Sequence, residues 1–277
     1  MKRVFLLGYP VGHSISPAMQ NAALRNLGID WQYELLATPP DKLSETVARL
    51  RSDDCSGANV TIPHKQAVME CMDEVSERAR KIGAVNTIIK RDGKLLGDNT
   101  DAYGVLQSLV EEHVLLRDKH VAVLGAGGAA RGTVFALGEA GVSSITILNR
   151  TQSRADVLAD FVRQQFPNVV VKTNNIKAID TADIIINTTS VGMAPNVDAS
   201  PMPSDVAFPS SAIAFDLVYR PLETKFLRDA KNVGAKTVGG LGMLVHQGAL
   251  SLHLWTGCDA PVQVMWNAAR DALRNTQ

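Results

Sequence analysis

The stretch Val123-Leu124-Gly125-Ala126-Gly127-Gly128-Ala129-Ala130 limits the possible folds of this chain more than any other. Before it, Lys119 to Leu124 is short, apolar and rich in β-branched residues, which predicts a buried strand. After it, the pattern predicts a helix to about Ala140. A strand that turns on glycines directly into a helix opens a doubly wound nucleotide-binding unit. The glycines permit a tight turn and let the backbone approach a pyrophosphate. The helix start offers unpaired N–H groups and a partial positive charge. Close helix–strand packing alone would also use such glycines; the strand–turn–helix setting favours a dinucleotide.

The next strand, Ser144 to Leu148, leads into Asn149-Arg150-Thr151-Gln152-Ser153-Arg154. A cofactor with a free ribose 2′-OH usually meets Asp or Glu here, roughly 20 residues past the glycines. No acid is present. Two guanidiniums with Asn149 and Thr151 suit a 2′-phosphate, which takes charge-assisted, often bidentate hydrogen bonds. NADP is therefore preferred to NAD. Taken alone, Arg150 and Arg154 would read equally well as a solvated helix start. Further strands are predicted at Val169 to Lys172, Ile184 to Asn187 and Ile213 to Asp216. Asn187-Thr188-Thr189-Ser190-Val191-Gly192-Met193 ends its strand in small polar residues and glycine, so Thr188 and Ser190 are expected to line the cofactor. Ala194 to Pro209, rich in Pro, Ser and Asp, predicts a loop.

The alternation of strand and helix starts well before this unit, which argues for an α/β protein throughout. Arg3 to Gly8 predicts a first strand. Ser16 reads as an N-cap before Pro17, with Met19, Ala22, Ala23 and Leu27 as the helix's apolar face and Gly28 as its stop. Trp31 to Ala37 and Gly57 to Ile62 predict strands, with a helix over Lys42 to Arg51 between them. Val85 to Lys90 and Lys94 to Leu96 predict a hairpin around Asp92-Gly93. After Gly239-Gly240 the chain turns helical, over Leu241 to Trp255 and Pro261 to Arg274. A formal net charge of +0 argues against a nucleic-acid or acidic-membrane partner. Cys55, Cys71 and Cys258 form no CxxC pair and no zinc spacing, so no metal is expected and free thiols in a reducing cytoplasm are. The apolar run after Met1 is too short for a signal peptide or a membrane span.

Ala58-Asn59-Val60-Thr61-Ile62-Pro63-His64-Lys65-Gln66 begins as a buried strand and breaks at a proline. A surface lysine is ordinarily just solvated. Here Pro63 sets the chain direction, so Lys65 is held. Asn59 and Thr61 alternate onto one face of the strand. Asn86-Thr87 and Asn99-Thr100-Asp101 bring more amides, hydroxyls and a carboxylate to neighbouring strand ends.

Nine segments in one order then carry a family resemblance: GHSISPAMQNAA, GANVTIPHK, AVNTI, GDNTDAYG, GAGGAAR, NRTQSRA, NTTSVGM, DLVYRPLETKFL and GGLGMLVHQGA. Over essentially its full length the chain resembles the shikimate dehydrogenases. The resemblance implies an N-terminal α/β substrate domain, residues 1–102 completed by 241–277, and a Rossmann NADP-binding domain, residues 103–240. It implies reversible, NADPH-dependent reduction of 3-dehydroshikimate to shikimate in aromatic amino-acid biosynthesis. Lys65 and Asp101 match the catalytic pair. Ser14, Ser16, Thr61, Asn86 and Gln247 match residues that hold the substrate's hydroxyls and carboxylate, and Tyr219 matches a further substrate contact. Gly125, Ala126, Gly127, Gly128, Ala129 and Ala130 match the pyrophosphate turn, and Asn149, Arg150, Thr151 and Arg154 the phosphate site. Glu77, Leu217, Gly240 and Met243 match positions near the nicotinamide or the domain cleft. The residue types suit the chemistry. Ser, Thr, Asn and Gln satisfy a polyhydroxylated anion without added charge, and a lysine can supply the proton that a reduced ketone needs. His13 and His64 lie beside these motifs and take no role. The implied enzyme is a cytoplasmic monomer or homodimer acting on a small molecule. A quinate/shikimate dehydrogenase of broader specificity is the nearest alternative; the serine pair and the two arginines favour shikimate and NADP. A non-catalytic NADP-binding sensor would be expected to lose Lys65 or Asp101.

Overall fold

The computed structural model describes residues 1–203 and 206–275. The chain forms two compact α/β units. One comprises residues 1–104 with the C-terminal segment from Leu244; the other is continuous, Val105–Met243.

The first unit opens with β1 (Lys2–Gly8), α1 (Ser16–Asn26), β2 (Trp31–Ala37), α2 (Leu43–Arg49) and β3 (Cys55–Val60). Then come β4 (Glu74–Val75), α3 (Glu77–Ile82), β5 (Thr87–Arg91), β6 (Lys94–Asp98) and α4 (Asp101–Glu111), whose last turns belong to the second unit. The strands form one sheet in the order β2-β1-β3-β5-β6-β4. β1, β2 and β3 run parallel, while β5 is antiparallel to both β3 and β6. β3 is buried along its whole length, as a central strand requires. The hairpin forms around Asp92 (φ 51) and Gly93 (φ 77), two left-handed residues that match the right-handed strand twist.

The second unit follows with β7 (His120–Leu124), α5 (Gly128–Glu139), β8 (Ser144–Leu148), α6 (Gln152–Gln165), β9 (Val170–Thr173), β10 (Ile184–Asn187), β11 (Ile213–Asp216), α7 (Lys225–Asn232) and β12 (Lys236–Val238). Its sheet is fully parallel, in the order β12-β11-β10-β7-β8-β9. The order reverses between β7 and β10, the switch point at which such sheets bind ligands. The β9-to-β10 crossover holds only a 3-10 turn, Ile176–Thr181, so polar His120, Thr146 and Lys172 of that sheet face line a cavity of about 390 Å³. α8 (Leu241–Thr256) and α9 (Val262–Arg274) complete the chain, with α9 packed on α1 in the first unit.

Several boundaries differ from the sequence expectation. Ser16 is the first residue of α1 and Ile15 its cap; the serine hydroxyl meets Ser14 Oγ at 3.1 Å rather than a helix N–H. The helix buries Leu24 rather than Ala22. β3 stops at Val60, not Ile62, because the chain turns there and His64 N donates to Thr61 O (2.9 Å). The helix expected over Lys42 to Arg51 is a 3-10 turn, Pro40–Lys42, followed by α2. β5 begins at Thr87 because Val85 N donates to Lys65 O (2.7 Å) instead of to a neighbouring strand.

Candidate active site

The segment after β3 is pinned on both sides of Lys65. Thr61 N donates to Leu7 O (2.8 Å), Val68 N to His64 O (2.9 Å) and Val85 N to Lys65 O (2.7 Å). His64 is buried, and its Nε2 lies 2.7 Å from Thr38 O, so that nitrogen donates and the ring serves as an anchor. Lys65 is thus presented by a fixed turn. Its Nζ lies 2.5 Å from Asp101 Oδ2, with side-chain exposures of 14% and 3%.

Asp101 is equally constrained. It is the first residue of α4, where the helix dipole favours a carboxylate. Its N–H donates to Asn99 Oδ1 (3.0 Å), and Asn99 Nδ2 donates to Ala84 O (2.9 Å). Its second oxygen, Oδ1, accepts from Asn86 Nδ2 (2.7 Å). Asn86 Oδ1 accepts from Thr100 N (2.8 Å), and Asn86 Nδ2 reaches Gln247 Oε1 at 3.5 Å. Lys65, Asp101, Asn86 and Gln247 are therefore one connected polar cluster. Behind it, Ser251 Oγ contacts Thr87 Oγ1 (2.9 Å) and Thr100 Oγ1 (3.1 Å) and accepts from Asn59 Nδ2 (2.9 Å). Sequence reasoning missed Ser251. The available signal for Ser251 was its place one helical turn after Gln247.

Ser14 and Ser16 form a hydroxyl pair in the loop after β1. A Cβ on Gly8 would meet Thr61 Cγ2 at 2.3 Å, so glycine there lets that loop lie against Thr61. Gln20, one turn after Ser16, donates to Gly248 O (2.9 Å), joining α1 to α8 beside Gln247. Glu77 stands apart at the start of α3, where it pairs with Lys81 (2.6 Å), faces solvent, and has its carboxyl held below the usual range by that lysine.

In the second unit the glycines divide their work. Gly125 has φ +112, and a Cβ there would meet Thr188 Oγ1 at 2.6 Å. Thr188 Oγ1 donates to Leu124 O (2.7 Å), so this hydroxyl joins two strand ends. Gly127 caps α5 without any side-chain hydrogen bond, and nothing lies within 4 Å of a Cβ placed on it. The α5 start through Gly128, Ala129 and Ala130 therefore keeps unpaired N–H groups beside open space, which suits a pyrophosphate. Asn149 N donates to Asn174 Oδ1 (2.8 Å), and Asn149 Nδ2 to Thr151 O (2.8 Å), fixing the segment after β8. Arg150, Thr151 and Arg154 are exposed there. Among the described residues neither guanidinium has a carboxylate partner, so both suit a phosphate. Ser190 is exposed and Tyr219 half-buried. Gly240 is buried because its Cβ position abuts Leu217 O at 2.4 Å, and Met243 lies in the first turn of α8. Among the described residues no cluster of three metal-ligating side chains occurs and no helix is long and apolar enough to cross a membrane.

Three family models match the chain. They describe the shikimate dehydrogenase substrate binding domain (residues 6–88), shikimate / quinate 5-dehydrogenase (residues 108–215) and the shikimate 5′-dehydrogenase C-terminal domain (residues 240–270). Shikimate dehydrogenase (NADP(+)) of Symbiobacterium thermophilum is 44% identical, covering 97% of this chain and 93% of its own. The enzyme of the same name from Methanocaldococcus jannaschii is 40% identical, covering 98% and 97%. Shikimate 5-dehydrogenase of Thermus thermophilus, solved with NADP(H) and shikimate, superposes with a TM-score of 0.90 at 41% identity, covering 99% of this chain and 100% of that one.

Proposed function

The chain belongs to the shikimate dehydrogenase family, and from that premise we infer that it catalyses the reversible, NADP-dependent interconversion of 3-dehydroshikimate and shikimate. The observation that carries the reading is the Lys65–Asp101 pair, 2.5 Å apart and bridged to Gln247 through Asn86. NADPH, when bound, supplies a hydride to the ketone carbon. The chain's residues do the rest. Lys65 gives an ammonium proton to the oxygen left by hydride addition, and takes one from the hydroxyl in the oxidation direction. Asp101 holds the ammonium in position, and Asn86 orients Asp101. Ser14, Ser16, Thr61, Asn86, Gln247 and Tyr219 bind hydroxyls and carboxylate, so several neutral hydrogen bonds set the ring's orientation. Gly125 to Ala130 cradle the pyrophosphate; Asn149, Arg150, Thr151 and Arg154 take the 2′-phosphate. Thr188, Ser190, Leu217, Gly240 and Met243 lie on the nicotinamide side. Glu77 is assigned there on the family match alone. The protein works in the cytoplasm on a small molecule, as a monomer or homodimer.

The test is a two-by-two initial-rate assay pairing shikimate or quinate with NADP⁺ or NAD⁺, read as formation of reduced nicotinamide. Turnover confined to shikimate with NADP⁺ is expected. Comparable rates with quinate would move the chain to the broader-specificity alternative. Comparable rates with NAD⁺ would overturn the two-arginine reading. No turnover in any pairing would defeat the assignment.

A further inference from the structure

Asp216 ends β11 with a carboxylate of 0% exposure. Its Oδ1 accepts from Val218 N (2.9 Å) and Asn187 Nδ2 (2.9 Å), and its Oδ2 from the Thr224 hydroxyl (2.6 Å). No cation pairs with it among the described residues. Burying a carboxylate without a counter-charge is costly, and burial pushes this one up to about 6. Packing alone would be served more cheaply by a neutral side chain. A carboxylate offers something else: two oxygens that accept several converging donors at once.

Each donor belongs to a different segment and passes the constraint onward. Asn187 Oδ1 accepts from Thr189 N (2.9 Å) and Thr189 Oγ1 (2.7 Å), and its Nδ2 also reaches Val191 O (3.2 Å). Asn187 thus shapes the turn that carries Thr188 and Ser190. Val218 stands between Leu217 and Tyr219. Thr224 caps α7, where its Oγ1 accepts from Leu227 N (3.3 Å). One carboxylate ties the exits of β10 and β11 to the start of α7, all at the carboxyl end of the sheet, where ligands of doubly wound folds sit.

We propose that Asp216 is a positioning residue for catalysis, fixing through Asn187, Val218 and Thr224 the two turns that hold the nicotinamide end of the cofactor. The proposal rests on the functional reading above. Asp216→Ala leaves three donors unpaired and loosens both turns. Asp216→Asn keeps the shape: its amide oxygen still accepts from Val218 and Asn187, and its NH₂ donates to Thr224 Oγ1.

The experiment measures NADP⁺ affinity by calorimetry and initial rates of shikimate oxidation for wild type and both variants, well below their melting temperatures. Asp216→Ala is expected to weaken NADP⁺ binding about tenfold and to lower kcat about tenfold. Asp216→Asn is expected to stay within about threefold of wild type in both constants. A purely structural role would lower the melting temperature of Asp216→Ala and leave both constants at wild-type values, which overturns the proposal. If Asp216→Ala does not fold, Thr224→Val replaces it by withdrawing the Oδ2 donor. The same direction of change, about threefold or more, is then expected, and wild-type constants would be decisive against the idea. Absence of shikimate oxidation in the wild type would defeat the functional reading, while the calorimetric comparison would still decide the role of Asp216.

Discussion

Among the described residues Lys65 Nζ pairs with one carboxylate, that of Asp101, in a site where the lysine side chain is 14% exposed. That arrangement holds one proton donor at one place, and its loss should be felt in chemistry more than in binding. Lys65→Ala is expected to lower kcat by about 10²–10⁴ with a much smaller change in KM for shikimate. Initial rates read this, with NADP⁺ affinity as the folding control; a native spectrum with undiminished turnover would remove Lys65 from the mechanism. Asp216 yields a prediction of opposite character. Its carboxyl, ordinarily at 3.8, is raised to about 6 by burial. Below the unfolded value both states are protonated. As pH rises toward 6 the unfolded chain releases a proton that the folded chain keeps, so stability falls, and above 6 the penalty is constant. The gap corresponds to about 3 kcal/mol. Urea unfolding at about pH 4 and pH 7 should therefore find Asp216→Asn gaining on wild type by up to about 3 kcal/mol across that window; parallel profiles would contradict it. At this scale Lys65 was legible because a proline and a strand end isolate it in the sequence. Ser251 was not, because its role depends on partners that only folding assembles: it meets Asn59 across 192 residues.

Elements repeat the lesson at their ends. The glycine turn after β7 was readable as a motif, yet the motif does not say which glycine serves the fold and which the ligand. The surroundings separate them. Gly125 sits at φ +112 against Thr188, whereas nothing lies within 4 Å of a Cβ on Gly127, whose φ of −95° any residue adopts. Gly125→Ala is expected to cost about 2 kcal/mol or more of stability. Gly127→Ala should leave stability within about 0.5 kcal/mol of wild type and yet weaken NADP⁺ binding at least tenfold, because in the proposed function the added methyl takes the space assigned to the pyrophosphate. Thermal unfolding paired with calorimetric titration distinguishes the two. Equal effects of both substitutions on stability would show the division to be wrong. Most strand interiors, and those of α1, α2, α5, α8 and α9, were legible from hydrophobic periodicity, whereas α4, α6 and α7 were not read from the sequence. The boundaries of β2, β8, β10 and β11 were legible as well; those of β3, β5 and α1 were not, because Val60 and Thr87 take their places from hydrogen bonds to other segments and Ser16 from its contact with Ser14. β4, α3 and β12 carry too little periodicity to announce themselves.

On the scale of the whole molecule, the two units differ in how the chain builds them. The second is continuous, Val105–Met243, with its own six-stranded sheet and a core that includes Ile185, Ala214 and Phe226. The first closes only when the C-terminal helices arrive: Trp255 Nε1 donates to Ile88 O (2.9 Å), Ser251 joins the Asn59 and Thr100 network, and α9 covers α1. Continuity and a separate core are what an independently folding domain needs. A fragment of residues 101–243, which keeps all of α4, is therefore expected to unfold cooperatively and to bind NADP⁺ in preference to NAD⁺. It contains the glycine turn, Arg150 and Arg154, and it lacks Lys65, so it should bind cofactor without oxidising shikimate. A fragment of residues 1–104 should show no cooperative transition, because Asn59, Ile88 and Thr100 would lose partners carried by α8. Circular dichroism melts and calorimetric titration of the two fragments check this. A 101–243 fragment that melts without cooperativity would mean that the nucleotide unit depends on the rest of the chain for its stability. One that melts cooperatively yet binds NAD⁺ as well as NADP⁺ would place cofactor choice outside the Asn149–Arg154 segment.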